Sequence, residues 1–263
     1  MAQIFGFAIL SLFITAVLLV PFIDFLYKIK LQRQKQKTKD IFNKPTHFFN
    51  KITEWKVGTP FGGGLLIILV VTLLTLWAYG LFSVEVKFWE LFVLLFTFIG
   101  FGALGFYDDI RKIFNRDTGF FGLKLFHKFA IQWILALIVG AVLYFQLGYD
   151  FVYVHWFGQI TLGALYILFA AFVIVSFTNA VNIADGLDGM ATGLLVICLV
   201  AFLAVAGAIL DPFLSLFIAI LLGSALAFLY FNIYKARIWL GDVGALSLGA
   251  VLAVIGLLTG KPL

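Results

Sequence analysis

The stretch NAVNIADGLDGMATG (Asn179–Gly193) joins two long apolar runs, 160–180 and 190–210. Each run can cross a hydrocarbon core of about 30 Å, which takes roughly 20 residues. The junction therefore brings two carboxylates and two amides to the ends of membrane-length segments. An isolated ionised carboxylate is costly there and needs a partner, water or a metal. Which side the junction faces, and what else faces that side, decides how these groups are used.

Working outward, the 263 residues are 63% hydrophobic and only 12% charged, with a mean hydropathy of +1.12. A soluble domain averages about 45–50% apolar and about 25% charged residues. The apolar excess falls into eight blocks, at 4–24, 61–81, 88–107, 128–147, 160–180, 190–210, 213–233 and 243–260. Backbone groups in lipid must be satisfied within their own segment, so each block reads as a helix. The expectation is an all-α polytopic membrane protein of eight transmembrane helices, with residues 1–263 forming a single integral-membrane domain. The first block follows no basic n-region and reads as a retained span, not a cleaved signal. Cys198 is the sole cysteine, which excludes an internal disulfide and argues against a cysteine-based metal site. Gly62, Gly63 and Gly64 at the start of the second block suit either close helix contact or a flexible start to the helix.

The basic residues sort by loop. Lys28, Lys30, Arg33, Lys35, Lys37, Lys39, Lys44, Lys51 and Lys56 precede the second block. Arg111, Lys112, Arg116, Lys124 and Lys128 follow the third, and Lys235 and Arg237 follow the seventh. These alternate loops hold 16 of the 18 basic residues, leaving only Lys87 and Lys261 for the other side. The positive-inside rule makes that face cytoplasmic and places the N-terminus outside. The run KIKLQRQKQKTKD (28–40) then serves topology and contact with anionic membrane lipids, so no nucleic-acid partner is expected. On the opposite face, YDFVYVHWFGQI (149–160) alternates with period two and predicts a short hairpin lying on the membrane surface.

Topology explains the lysines and arginines but not the aspartates, because acids contribute little to orientation. Asp108 and Asp109 in GFYDDIRK, Asp185 and Asp188 in NIADGLDG, and Asp242 in WLGDVGALSLG all lie at the predicted cytoplasmic ends of spans. The adjacent Asp108 and Asp109 would point in different directions, with Lys112 on the face of Asp108 if the helix continues. Asn182, Asp185 and Asp188 would share one polar face of a helical turn. Taken singly, these groups have ordinary readings as a solvated helix end, turn chemistry and an N-cap. Three separate loops converging on one face call for a ligand. Oxygen donors without histidine or cysteine suit Mg²⁺. Carboxylates, Mg²⁺ and nearby lysines are the equipment of phosphoryl transfer. Trp239 adds a ring able to stack on a planar ligand or to anchor at the interface. His47, His127 and His155 show no ligand spacing and stay unassigned.

Four motifs in this order, GTPFGGG (58–64), GFYDDIRK (105–112), NAVNIADGLDG (179–189) and FNIYKARIWLGDVGALSLG (231–249), resemble those of the polyprenyl-phosphate N-acetylhexosamine-1-phosphate transferases. NAVN with DGLDG and GDVG favour the MraY branch over the WecA-like branch. The resemblance runs from about Lys56 to Gly249. It implies attack of undecaprenyl phosphate on the β-phosphorus of UDP-N-acetylmuramoyl-pentapeptide, giving lipid I and UMP. By motif, it makes Asp242 the Mg²⁺ ligand, Asp108 the candidate base for the lipid phosphate and Asp109 its partner near the diphosphate. A phosphate monoester is mostly ionised at neutral pH, so Asp108 is either a base or an electrostatic guide. The resemblance assigns Lys112 and Lys124 to the diphosphate and uridine, and Thr59, Asn182, Asp185 and Asn232 to polar substrate positions. It assigns Asp188 to uracil and puts Trp239 where the family has a stacking Phe.

GTPFGGG departs from the family's GTPTMGG around Thr59. The family also carries about two further spans beyond the position of Leu263, with a His-rich cytoplasmic loop between them, so the chain reads as a fragment or a naturally short variant. The family suggests a homodimer in the bacterial cytoplasmic membrane. Alternatives are a WecA-like N-acetylglucosamine-1-phosphate transferase, a homologue that binds without turnover, and a transporter. A transporter should carry its acids at mid-span, whereas these lie at span ends.

Overall fold

Lipid offers the backbone no hydrogen bonds, and these apolar blocks satisfy their own groups by coiling. The computed structural model describes residues 2–32, 56–81, 88–114, 125–154 and 156–260. Among them are eight helices long and apolar enough to cross a membrane. They are α1 (Ala2–Lys28), α2 (Gly64–Leu81), α3 (Phe88–Phe114), α4 (Leu125–Phe145), α5 (Leu165–Ala184), α6 (Met190–Ala208), α7 (Pro212–Asn232) and α8 (Gly241–Thr259). The all-helical polytopic reading holds.

Boundaries moved where local chemistry overrode hydropathy. The expected span 160–180 begins at Leu165, because β1 (Phe151–Val154) and β2 (Gly158–Thr161) pair antiparallel, Phe151 opposite Thr161. This is the expected hairpin, with Trp156 and Phe157 exposed at its tip. At its base, Tyr149 donates to the carbonyl of Leu258 at 3.0 Å. Burial pushes that phenol's pKa up, which keeps it a donor. The α7 start is the one its sequence announces. Asp211 accepts from the Leu214 amide at 2.9 Å, and Pro212 fills the first turn, where no N–H is needed.

Two helices form the centre. α7 is apolar on every side and packs against α1, α2 and α6, while α8 packs against α2, α3, α5 and α6. Lipid is as apolar as leucine, so helices here associate by close packing and interhelical hydrogen bonds. On α1, Ser11 donates to the carbonyl of Ile220 at 2.7 Å and Thr15 to the hydroxyl of Ser224 at 2.9 Å. Between α2 and α8, Gly64 lies against the backbone of Gly244 with no room for a Cβ. Close helix contact, not flexibility, is the use of that glycine.

Candidate active site

The site is built where α3 ends and α4 and α8 begin. Helix α3 runs on past 107 to Phe114 and carries Asp108, Asp109 and Lys112 on its last turns. A Cβ on Gly105 would collide with the backbone of Asp242 and Val243, so glycine lets the first turn of α8 lie against α3. Gly241 holds the turn before Asp242 at φ +72, a left-handed conformation that glycine adopts without strain. A side chain there would also meet the Asp109 carboxylate at 2.7 Å. That carboxylate accepts from the Val243 amide at 3.1 Å, fixing α8 to α3.

Three carboxylates meet two ammonium groups at this junction. Lys112 Nζ lies 3.2 Å from Asp108 Oδ2, 3.2 Å from Asp109 Oδ1 and 2.9 Å from Asp242 Oδ1. Lys128, on the first turn of α4, lies 3.2 Å from Asp108 Oδ2 and also pairs with Asp242 Oδ2. Asp108 and Asp109 are buried. Buried ions survive only when paired, and here three carboxylates share two ammonium groups. Asp108 and Asp109 do not diverge as the sequence suggested; both reach Lys112. Asp242 makes no side-chain cap to α8, so its carboxylate serves the cluster and not the helix end.

The second half of the site adjoins the first through the segment around Gly62. Gly63 and Gly64 donate to the carbonyls of Trp239 and Leu240 at 2.9 and 3.0 Å, and Trp239 donates to the carbonyl of Pro60 at 2.9 Å. Thr59 is buried in this clasp, its amide closing a turn onto the Lys56 carbonyl at 3.2 Å. Lys56 is 1% exposed. Its ammonium donates to the Gly186 carbonyl at 2.7 Å, lies 3.6 Å from Asp188 Oδ1 and sits 4.2 Å from the Trp239 ring centroid. Asp188 accepts from the Ala236 amide at 3.2 Å. Thus Lys56, Asp188 and Trp239 bind three loops into one wall.

The remaining expected residues differ in what the fold does with them. Helix α5 ends at Ala184, so Asp185 is its C-cap and Asp188 belongs to the following turn. Asn182, Asp185 and Asp188 therefore do not line one helical face. Asn232 is 1% exposed, and its amide is spent inside the fold. It donates to the carbonyl of Ile238 at 2.9 Å and accepts from Thr192 at 3.0 Å. Trp239 is buried, with an ammonium over its ring. Lys124 lies outside the described residues.

Sequence reading missed Lys56 and Lys128. Both were counted among the topogenic lysines, because nothing local marks a buried ammonium. No spacing in the sequence marked them, since each lies beside a motif aspartate only after folding. Asp108, Asp109 and Asp242 could hold a divalent ion, and an all-oxygen donor set fits Mg²⁺. They are not a ready-made chelate among the described residues, because Lys112 and Lys128 stand between them.

The profile of glycosyl transferase family 4 matches residues 91–260, which include most of α3, all of α8 and every carboxylate of the cluster. The chain belongs to glycosyl transferase family 4. Within this family it is 37% identical to a phospho-N-acetylmuramoyl-pentapeptide-transferase of Limosilactobacillus fermentum, over 96% of this chain and 73% of that protein. A protein of the same description from Aquifex aeolicus is 36% identical, over 97% of this chain and 71% of its own length. The family 4 match and the span-length helices make this a multi-pass membrane protein of the transferase class.

Proposed function

We propose that the chain transfers phospho-N-acetylmuramoyl-pentapeptide from its UDP-linked donor to undecaprenyl phosphate, forming lipid I and releasing UMP in peptidoglycan synthesis. The observation that carries this reading is the convergence of Asp108, Asp109 and Asp242 on Lys112 and Lys128 at one end of the bundle. The similarity to relatives named for this transfer supports the donor and acceptor. The density of basic residues on the loops at this end supports a cytoplasmic site, where a nucleotide donor is available.

An oxygen of the lipid phosphate attacks the β-phosphorus, and the bond from that phosphorus to the bridging oxygen of UMP breaks. Little covalent chemistry falls to the protein, so positioning and charge neutralisation dominate. Lys112 and Lys128 are placed to receive the diphosphate as charge builds on the leaving UMP. Asp242 is the principal candidate ligand for Mg²⁺, with Asp108 and Asp109 beside it, and bound Mg²⁺ would supply further neutralisation of the diphosphate. Asp108, close to two ammonium groups, would act either by holding those lysines toward the ionised lipid phosphate or as the candidate base. Lys56, Asp188 and Trp239 form the wall for the uridine, with Asn232 holding it in shape, and Asn182 and Asp185 are further candidate contacts to the nucleotide.

The direct test is UMP release by the purified 263-residue chain in detergent with undecaprenyl phosphate and Mg²⁺. UDP-N-acetylmuramoyl-pentapeptide and UDP-N-acetylglucosamine are offered separately. Release with the first donor alone is expected, and chelation of Mg²⁺ should stop it. Release with the second alone would replace this reading by the sister transferase, and release with neither would refute turnover by this chain.

A further inference from the structure

Both oxygens of Asp242 already carry a cation. Lys112 holds Oδ1 at 2.9 Å and Lys128 holds Oδ2, while Asp108 Oδ2 lies 3.2 Å from each ammonium. A Mg²⁺ ion sits about 2.1 Å from a carboxylate oxygen. At that distance it would crowd and repel an ammonium already hydrogen-bonded to the same oxygen. Each oxygen keeps a second lone pair, but the paired ammonium groups oppose a divalent ion at Asp242 for as long as both lysines keep these positions.

We infer that Lys112 and Lys128 are resident counter-ions of the three carboxylates, and that they exchange for the divalent cation instead of binding beside it. This rests on the reading of Asp242 as a metal ligand. In the resting state the two lysines screen the mutual repulsion of Asp108, Asp109 and Asp242 and hold the three at one junction, short of a ready-made chelate. On exchange, each ammonium swings away on its four-carbon stem and leaves the Asp242 oxygens to the ion. The released ammonium groups have lost their carboxylate partners, and a diphosphate is the anion at hand to receive them. Metal binding and diphosphate binding are then mutually favourable, because the first provides free cations for the second and linkage is reciprocal. The same two lysines thus act as internal stand-ins for the metal and then as positioning residues for the substrate.

Exchange makes a prediction that simple proximity does not. The side chains of Lys112 and Lys128 are 28% and 12% exposed in the resting cluster, whereas Lys235 is on the surface. The purified chain in detergent is pulsed with acetic anhydride, with MgCl₂ or with NaCl of matched ionic strength, and the lysine peptides are quantified by mass spectrometry. Thermal unfolding is followed across the same MgCl₂ titration. Acetylation of Lys112 and Lys128 should rise several-fold along the curve that reports metal binding, while Lys235 stays constant. In parallel, Lys128→Met should shift the MgCl₂ midpoint to lower concentration, because one competitor is gone. A normal Mg²⁺ response with unchanged or reduced acetylation would overturn the exchange but leave the metal reading standing. No Mg²⁺ response at all in the unaltered chain would overturn both.

Discussion

Asp242 takes an ammonium on each of its carboxylate oxygens, so its replacement removes the anchor of two lysines along with the proposed Mg²⁺ ligand. Asp242→Asn is expected to abolish Mg²⁺-dependent UMP release, and Asp109→Asn to slow it by orders of magnitude. Asp109 also anchors the Val243 amide, so the second variant should lose some thermal stability as well. Normal turnover by either would remove that residue from the site. At Trp239 the ring already carries the Lys56 ammonium. Trp239→Ala is expected to raise KM for the UDP-sugar more than it lowers kcat. A fall in kcat at saturating donor with KM unchanged would count against a binding role for the ring. The aspartates were legible in the sequence because acids at span ends have no topological purpose. Lys56 and Lys128 were not legible, because a lysine near a membrane surface has an ordinary purpose already.

Among the elements, α3 and α8 carry most of the design. Gly105 sits where the backbone at Asp242 passes, so Gly105→Ala must push the two helices apart. Overpacking of this kind costs about 1–3 kcal/mol, and the displacement also spreads the carboxylates. Lower melting temperature together with loss of UMP release is the expected result. A Cβ on Gly193 in α6 would meet no atom within 4 Å, so this glycine serves as the control. Gly193→Ala should leave the melting temperature level or raise it slightly, since alanine is the better helix former by about 1 kcal/mol. Equal destabilisation by the two substitutions would show that Gly105 contributes only helix propensity. The helices themselves were legible from hydropathy, as were the α7 start at Asp211-Pro212 and the hairpin. The start of α5 was missed because the apolar run was read as opening at Ile160, yet Ile160 and Thr161 pair in β2.

At the scale of the whole molecule, the sidedness of the site is the property most open to test. In a Cys198→Ala background, Lys235→Cys should react with a membrane-impermeant maleimide only after cells are opened. Trp156→Cys, at the exposed hairpin tip, should react in intact cells. The opposite pattern would invert the chain in the membrane and separate the carboxylates from a cytoplasmic nucleotide. By itself the sequence determined the class of protein, the number of spans and the motif aspartates, since hydropathy and charge placement act locally along the chain. Only the tertiary structure decided which charges meet. Asp242 reaches Asp108 and Asp109 because Gly105 lets two helices touch, and Lys128 reaches both sides of that contact from a third helix. Lys56 likewise meets Asp188 and Trp239 from a distant loop. Pairing of buried charges depends on distance in space, and no periodicity in the chain encodes that distance.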